Sequence, residues 1–340
     1  MRPTIKDLAK AAGVSLATVD RVLNERPNTS AKTVKKVNEA IGRIGFVRNI
    51  AAVNLARSKI YKFRFILPES SDQYQQELLV HVSEAHAAMQ SDLIQLQAVQ
   101  VPPGDPHLIA NYLAKLERKD VDGIAVMAPE SPQVRDAMGR LYERGVKVVQ
   151  FLSGQEKLSN LDYVGIDNFA AGATAGRIIG RFLGGATGKI MVIAETMQAL
   201  DSIERRVGFD EIINSKFRHL TVLPSLETYG DRERAEKVIG RTFAFHNDIV
   251  AVYVISSDAR CPLLSVMKVK DVNDLTIVVH ERTPFSEKAL KQERIDAIIA
   301  QNPGHAVRSA IRIMRARVDN RQPLASQEQI RIEVLLKENL

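Results

Sequence analysis

Apolar residues recur along this chain with two periods, and the period decides the element. Between residues 4 and 44 the spacing is helical. Thr4 precedes Ile5-Lys6-Asp7-Leu8-Ala9-Lys10-Ala11-Ala12, with Ile5, Leu8, Ala9 and Ala12 on one face. Thr4 is an N-cap residue, and Asp7 three positions on forms a capping box with it. Gly13 ends this helix, because glycine tolerates a left-handed C-terminal cap. Ser15 caps a second helix over 16–24, with Val19, Val22 and Leu23 inward. Pro27-Asn28-Thr29 reads as a loop. Ser30 then caps a third helix, 31 to about 44, burying Val34, Val37, Ile41 and Ile44, and Gly45 stops it. The stretch 49–57 is too short to be a stable helix alone, yet is unusually apolar for a linker.

From Tyr61 onward short apolar runs alternate with helix-period segments. Strands are predicted at 63–67, 93–101, 123–127, 146–151, 163–166, 189–194, 220–224, 249–255, 275–280, 295–300 and 329–335. Helices are predicted between them: one ending near 90, then 106–118, 132–144, 169–183, 203–215, 232–243, 261–268, 284–292 and 303–317. Repeated strand–helix units imply parallel sheets with right-handed crossovers. So many strands imply two sheets in two lobes. Ligands of such sheets lie beyond the C-terminal ends of the strands.

Composition narrows the class. The chain has 340 residues, 45% hydrophobic and 26% charged, which suits a soluble globular protein. Its one cysteine, Cys261, excludes an intramolecular disulfide framework and multi-cysteine zinc sites, and fits a reducing cytoplasm. No run approaches the roughly 18 apolar residues of a membrane span, and the basic, polar start carries no secretory signal. A cytoplasmic protein without a membrane partner is therefore expected.

Charge changes the picture most. Lys plus Arg is 47 and Asp plus Glu is 40, a net +7. Residues 1–60 hold twelve of the bases and four of the acids, so the remainder is nearly balanced. A basic block of this kind attracts a polyanion, because each phosphate neutralised releases counterions. A membrane surface is a poorer partner, since the block has no Trp and only Phe46 as an aromatic. Two short helices joined by a glycine turn form a helix-turn-helix unit, whose second helix fits a major groove about 12 Å wide. Its outward positions Leu16, Ala17, Asp20 and Arg21 would face bases or phosphates. Arg21 can read guanine in bidentate fashion, and Asp20 can accept from a cytosine amine. Lys32, Lys35 and Lys36 cluster where they reach phosphate.

Signals for catalysis are missing. There is no G-x-x-x-x-G-K-[ST] loop. His81 and His86 are five apart, a poor helical pair for a metal, and read as surface histidines. Ser153, Ser256 and Ser257 lack a nucleophile-elbow context. Gly180-Arg181-Phe182-Leu183-Gly184-Gly185 reads as a helix cap and turn. No enzyme activity, no cofactor and no metal are expected.

The run Thr-Ile-Lys-Asp-Leu-Ala-Lys-Ala-Ala-Gly-Val-Ser-Leu-Ala-Thr-Val-Asp-Arg-Val-Leu-Asn from Thr4 to Asn24, extended by Ser30-Ala31-Lys32-Thr33, resembles the N-terminus of the LacI/GalR family of repressors. The resemblance implies an all-α helix-turn-helix head followed by an α/β two-lobed periplasmic-binding-protein-like domain with parallel sheets. The implied divisions are a head at 1–47, a hinge helix or linker at 48–59, and an effector-binding and dimerisation body at 60–340. Lobe 1 would take about 60–166 and 302–320, and lobe 2 about 167–301 and 321–340, with chain crossings near Ile166, Gln301 and Asn320. The implied DNA-binding residues are Thr4, Ser15, Leu16, Ala17, Asp20, Arg21, Asn24, Ser30 and Thr33, with Asn49, Ala52 and Leu55 from the hinge. In the family a hinge leucine wedges into the minor groove, and Leu55 matches it. Arg48 replaces the proline usual before the hinge asparagine, and Asp20 stands where a small polar residue is common.

By the same resemblance Arg205, three residues before Gly208-Phe209, matches the effector-binding arginine. Asp258 matches the family's acid after strand 249–255, and Ser257 stands where asparagine is usual. Glu281 replaces an aspartate that grips hydroxyls, and Gln301 matches the glutamine of a crossing segment. Asp72 and Tyr74 follow the first strand, where ligand contacts are expected. Carboxylates and a guanidinium facing a cleft suit a polyhydroxy ligand. Leu152-Ser153 stand where sugar-binding relatives often place an Asp-Arg pair. The expected function is a sequence-specific DNA-binding transcriptional regulator of repressor type. A small effector (sugar, polyol or sugar acid) between the lobes would control its operator affinity. A palindromic operator needs two heads and hence a homodimer. The alternative, a solute-binding protein without a DNA role, would lack the basic head and carry a signal peptide.

Overall fold

The computed structural model describes residues 3–23, 29–46, 60–70, 72–102 and 105–340. They fall into two compact units, one ending at Lys59 and one starting at Ile60.

The first unit contains α1 (Ile5–Ala12), α2 (Leu16–Leu23) and α3 (Ala31–Ile44). The Thr4–Asp7 capping box is formed: the Asp7 amide donates to Thr4 Oγ1 at 3.3 Å, and the Thr4 amide donates to Asp7 Oδ2 at 2.8 Å. Those donors from Thr4 hold the Asp7 carboxyl below its usual range. Gly13 and Gly45 close α1 and α3 at φ 65° and 62°, the left-handed region where a side chain is strained. Leu8, Ala9, Ala12, Val19, Val37, Ala40 and Phe46 form the core of this unit. Ile5 departs from the expectation. It shares a helical face with Leu8 and Ala12, but lies in the first turn, beyond the core of the unit, and is 38% exposed.

The second unit holds two sheets. The five-stranded sheet runs β2-β1-β3-β4-β5, with β1 Tyr61–Pro68, β2 Ile94–Val101, β3 Gly123–Val126, β4 Lys147–Phe151 and β5 Asp162–Val164. All its pairings are parallel. Three helices alternate with these strands: α4 (Gln73–Ala88), α5 (Pro106–Ala114) and α6 (Pro132–Glu143). The second sheet runs β12-β11-β10-β9-β6-β7 with β8 beside β6. Its strands are β6 Gly188–Ala194, β7 Leu220–Val222, β8 Leu226–Glu227, β9 Ile249–Val254, β10 Thr276–His280, β11 Ala297–Ala300 and β12 Glu333–Leu335. The helices of this half are α7 (Asn168–Phe182), α8 (Leu200–Lys216), α9 (Arg232–Phe245), α10 (Arg260–Met267) and α11 (Pro284–Lys291). A further long helix, α12 (Pro303–Val318), packs on the five-stranded sheet. The chain therefore passes between the sheets after β5, after β11 and after α12.

Strands buried on both faces explain the continuous apolar runs: β3 and β11 are buried at every position. Phe65 meets Phe151 edge-on at 5.3 Å in one half, and Phe209 stacks on Tyr253 at 4.5 Å in the other. Two predicted elements shrink. The helix expected over 106–118 ends at Ala114, and a turn then brings Leu116 and Val121 into the core. The strand expected over 329–335 pairs only from Glu333, and antiparallel, because four-residue β11 offers it just Ile298, Ile299 and Ala300. Residues Ala325–Glu328 before it form a helical turn.

Candidate functional site

In the first unit the start of α2 is built by Ser15. Its hydroxyl oxygen accepts from the Thr18 amide at 3.1 Å and lies 2.8 Å from Thr18 Oγ1. Ser30 repeats the arrangement on α3, accepting from the Thr33 amide at 3.3 Å. Hydroxyls that cap helix starts sit where backbone N–H groups favour anions. Leu16 is 47% exposed, and Ala17, Asp20 and Arg21 are also exposed, so α2 turns one edge outward. Lys32, Lys35 and Lys36 are exposed on α3. The Arg43 guanidinium donates to the Ala11 carbonyl and ties α3 to α1. Asn24, Asn49, Ala52 and Leu55 lie outside the described residues.

In the second unit the candidate effector residues gather at the C-terminal ends of the strands. Arg205, on α8, is 3% exposed. Its Nε donates to Asn168 Oδ1 at 2.9 Å, its Nη1 to the Ile255 carbonyl at 2.9 Å, and its Nη2 to Glu281 Oε1 at 3.4 Å. Gln301 donates to Glu281 twice, from Nε2 at 2.9 Å and from its amide at 3.3 Å. Burial pushes the Glu281 carboxyl up to about 7, against the opposing pull of Arg205 and Gln301. Burial also opposes the charge on Arg205, but Asp201 and Glu281 outweigh it and hold the guanidinium protonated. Glu281 adopts φ 61°, a strained value for a non-glycine residue directly after a strand.

Asp72 has two tasks. Its Oδ1 accepts from the Tyr74 amide at 2.9 Å as the N-cap of α4, and its Oδ2 takes the hydroxyl of Ser257 from the other half. Burial raises its carboxyl above the usual range, while Ser257 draws it back. Two more bonds join the halves. Ser153 donates to Asp201 Oδ1 at 3.1 Å, and the Phe285 amide donates to Gln73 Oε1 at 3.1 Å. Asp258 accepts from the Arg260 amide at 2.8 Å and pairs with that guanidinium at 3.8 Å, so it shapes the start of α10. The Tyr74 hydroxyl and Gln301 Oε1 are buried without a hydrogen-bond partner. Burial raises the Tyr74 phenol well above its usual value, and Glu281, Arg205 and Asp72 all act on it.

Sequence reasoning missed several participants. Asn168 orients Arg205 and lies within the crossing segment, but only the fold brings it there. Its amide also donates to Tyr163 Oη at 3.3 Å, and that phenol donates to the Leu152 and Ile166 carbonyls. Glu195, directly after β6, and Asp201 and Glu204, in the first turns of α8, add three acids. The position of Glu195 after a strand end was the available signal. His86 is less superficial than expected: it is half-buried and its Nδ1 accepts from the Leu96 amide at 3.2 Å. His81 pairs with Glu84 at 2.9 Å. Among the described residues no group of three or more His, Cys, Asp or Glu is placed to hold a metal ion. Nor is any helix among them long and apolar enough to cross a membrane.

Comparison with known proteins follows the two units. Residues 4–49 match the bacterial regulatory proteins of the lacI family, and residues 63–322 match the periplasmic binding protein domain. The HTH-type transcriptional regulator DegA of Bacillus subtilis is 27% identical over 308 residues, covering 85% of this chain and 84% of that one. Catabolite control protein A of Priestia megaterium is 36% identical over 128 residues, 38% of this chain and 37% of that one. Among solved structures, the glucose-galactose binding protein GanP of Geobacillus stearothermophilus superposes with a TM-score of 0.73 at 19% identity, covering 83% of this chain and 99% of that one. A LacI transcriptional regulator of Bacteroides fragilis gives 0.72 at 17% identity, covering 83% and 98%. These likenesses establish the two-lobed fold.

Proposed function

The chain belongs to the lacI family of bacterial regulatory proteins, its body a periplasmic binding protein domain, and we propose that it is a homodimeric repressor whose hold on a palindromic operator is set by a sugar-like effector. One observation carries the DNA-binding half of this reading: a compact basic unit turns Leu16, Ala17, Asp20 and Arg21 outward on a helix whose start is capped by Ser15. That edge enters the major groove, with Arg21 and Asp20 at base edges. Thr4, Ser30 and Thr33 meet phosphate through hydroxyls at helix starts. Asn24, Asn49, Ala52 and Leu55 extend the contact, Leu55 as a minor-groove wedge. The working divisions are a head at 1–47, a hinge at 48–59 and a body at 60–340.

The body binds the effector between its halves through Arg205, Glu281, Gln301, Asp72, Tyr74, Ser257 and Asp258. The glucose-galactose binding protein among the structural neighbours supports a sugar-like class. The site performs no reaction and acts in the cytoplasm. An effector changes DNA affinity only as far as it binds one arrangement of the body better than the other.

The test is binding of the full chain to duplex DNA in a salt series. With six to ten phosphates engaged, affinity should fall by roughly 10³ or more between about 50 and 200 mM salt. A flat salt dependence would remove the basic head from DNA binding. Arg205→Ala should keep DNA binding and abolish the response to any sugar that shifts the wild type. An unaltered response would exclude Arg205 from the effector site.

A further inference from the structure

Helix α12 runs from the cleft to the point where the chain enters the body. At its start Asn302 caps it, Oδ1 accepting from the His305 amide at 2.8 Å. One residue earlier stands Gln301, whose side chain donates to Glu281 in the cleft at 2.9 Å. At its end Asp319 closes it, the Asp319 amide donating to the Arg315 carbonyl at 3.0 Å. The Asp319 side chain is 4% exposed, and its Oδ1 accepts from Tyr61 Oη at 2.7 Å. Tyr61 is the second residue of the body and the first of β1, and it is 1% exposed. The sixteen residues of α12 therefore carry a rigid connection over about 24 Å.

The far end of this helix is firmly built. The Arg315 guanidinium lies over the Tyr61 ring at 5.4 Å, and Arg321 pairs with Asp319 Oδ2 at 2.8 Å. Arg317 grips Asp162, at the start of β5, through two bonds of 2.8 and 2.7 Å. Burial, with Asp319 next, pushes the Tyr61 phenol up to about 12, so it stays a donor at neutral pH. The third crossing is laced to the same helix: Arg312 holds both oxygens of Glu328, and His305 Nε2 donates to the Gln327 carbonyl at 3.1 Å. Strand β1 also leads from Tyr61 to the cleft, but it is bonded to β2 on one side and β3 on the other and cannot slide alone. α12 meets that sheet through apolar side chains, among them Val307, Ala310, Ile311 and Met314. Such packing permits the slides of about 1–2 Å that packed helices undergo. A slide of about 1 Å along the Tyr61–Asp319 bond takes it beyond hydrogen-bonding reach. The contact thus registers a displacement too small to disturb the core.

Resting on the proposed effector-controlled DNA binding, we propose that α12 is the lever of this body: a change at Gln301 slides the helix, and the Asp319–Tyr61 bond hands that displacement to the segment leading to the head. Tyr61 and Asp319 are then positioning residues. They touch neither effector nor DNA, and they set how far DNA affinity answers the cleft. The bond favours the arrangement of the body in which it is made, so breaking it uncouples the two ends without emptying either.

A double-mutant cycle on the full chain tests this, with a DNA duplex that the wild type itself selects from a randomised pool. Gln301→Ala supplies the change at the cleft end, so no effector has to be known. It should shift affinity for the duplex at least about fivefold in the wild-type background. In a Tyr61→Phe background, and separately in Asp319→Ala, the same substitution should shift it less than about twofold. A bond that is merely structural would lower the melting temperature and leave the Gln301→Ala shift undiminished in both backgrounds. That result overturns the lever, as does a smaller shift than fivefold in the wild type, and either leaves DNA binding by the head in place. A wild type that selects no duplex overturns both.

Discussion

Replacing Gly172 with alanine should dislodge Arg205 without touching its side chain. A Cβ at Gly172 would lie 1.9 Å from the Arg205 carbonyl oxygen and 2.7 Å from its Cα. The contact is reciprocal, since a Cβ at Gly208 would lie 2.0 Å from the Phe169 carbonyl oxygen. α7 and α8 thus meet backbone to backbone, and neither side can yield by rotating a side chain. Restoring a tolerable carbon–oxygen separation moves α8 by about 1 Å or more. Arg205 moves with it, and its two 2.9 Å bonds to Asn168 and Ile255 pass beyond hydrogen-bonding distance. Overpacking costs about 1–3 kcal/mol. Weakening the hydrogen bonds of a buried guanidinium adds about 2–4 kcal/mol. The better helix propensity of alanine returns only about 1 kcal/mol.

The net loss is about 2–6 kcal/mol, which for a body of this size lowers the melting temperature by roughly 10 °C. Gly139 on α6 is the control, because a Cβ there meets nothing within 4 Å. Gly139→Ala should be neutral or stabilise by up to about 1 kcal/mol. Scanning calorimetry of the full chain, following the transition of the body, compares the two. If Gly172→Ala melts within about a degree of Gly139→Ala, the helix contact does not hold Arg205 in place and the reasoning fails.

Further outcomes follow from the cleft and the head. Glu281 has its carboxyl raised to about 7, chiefly by burial. Between about pH 4.5 and 7 the folded chain keeps a proton the unfolded chain has released, so stability falls as pH rises through that window, by up to about 3 kcal/mol. Glu281→Gln should flatten this dependence in urea titrations at about pH 5 and about pH 8. A variant with the same pH slope as the wild type would show that Glu281 is not its source. Arg21→Ala should cost about 1–3 kcal/mol on a specific duplex and relax base preference at one position, read by competition binding. An equal loss on every sequence would make Arg21 a phosphate contact. Leu55→Gly, argued from the hinge resemblance alone, should weaken operator binding with the fold intact. Unchanged affinity and unchanged DNA bend in that variant would remove the wedge.

What the sequence made legible is local. Thr4 with Asp7, Ser15 with Thr18 and Ser30 with Thr33 are bonds across three residues, so a cap can be read from its spacing alone. Strand centres were equally plain, because β3 and β11 are buried throughout and leave continuous apolar runs. Arg205, Glu281 and Gln301 were each assigned by position, and they do meet. What stayed hidden is non-local. Asn168 reaches Arg205 across 37 positions, Ser153 reaches Asp201 across 48, and Asp72 reaches Ser257 across 185. No periodicity encodes such pairs, since they depend on which strand ends the topology sets side by side. The antiparallel β12 was hidden for a related reason: its direction follows from the chain's last return between the halves, not from its own residues.

The same non-local bonds define what a ligand must do. Ser257 with Asp72, Ser153 with Asp201 and Gln73 with the Phe285 amide already join the halves, so a ligand acts by changing how strongly that joined arrangement is favoured. In the proposed site its leverage would lie in the two unpartnered atoms. A buried polar atom without a partner costs about 1–3 kcal/mol, so satisfying both the Tyr74 hydroxyl and Gln301 Oε1 would yield about 2–6 kcal/mol. Reversing a population from 1:99 to 99:1 needs about 5.5 kcal/mol. The two atoms together reach that figure only at the top of their range. Their chemistry also limits the candidates. Gln301 Oε1 only accepts, whereas the Tyr74 hydroxyl donates or accepts. A ligand hydroxyl can donate to the first and accept from the second, and a purely acceptor group can serve only Tyr74. If the proposed site holds, polyhydroxy compounds should therefore shift this equilibrium where simple carboxylates do not.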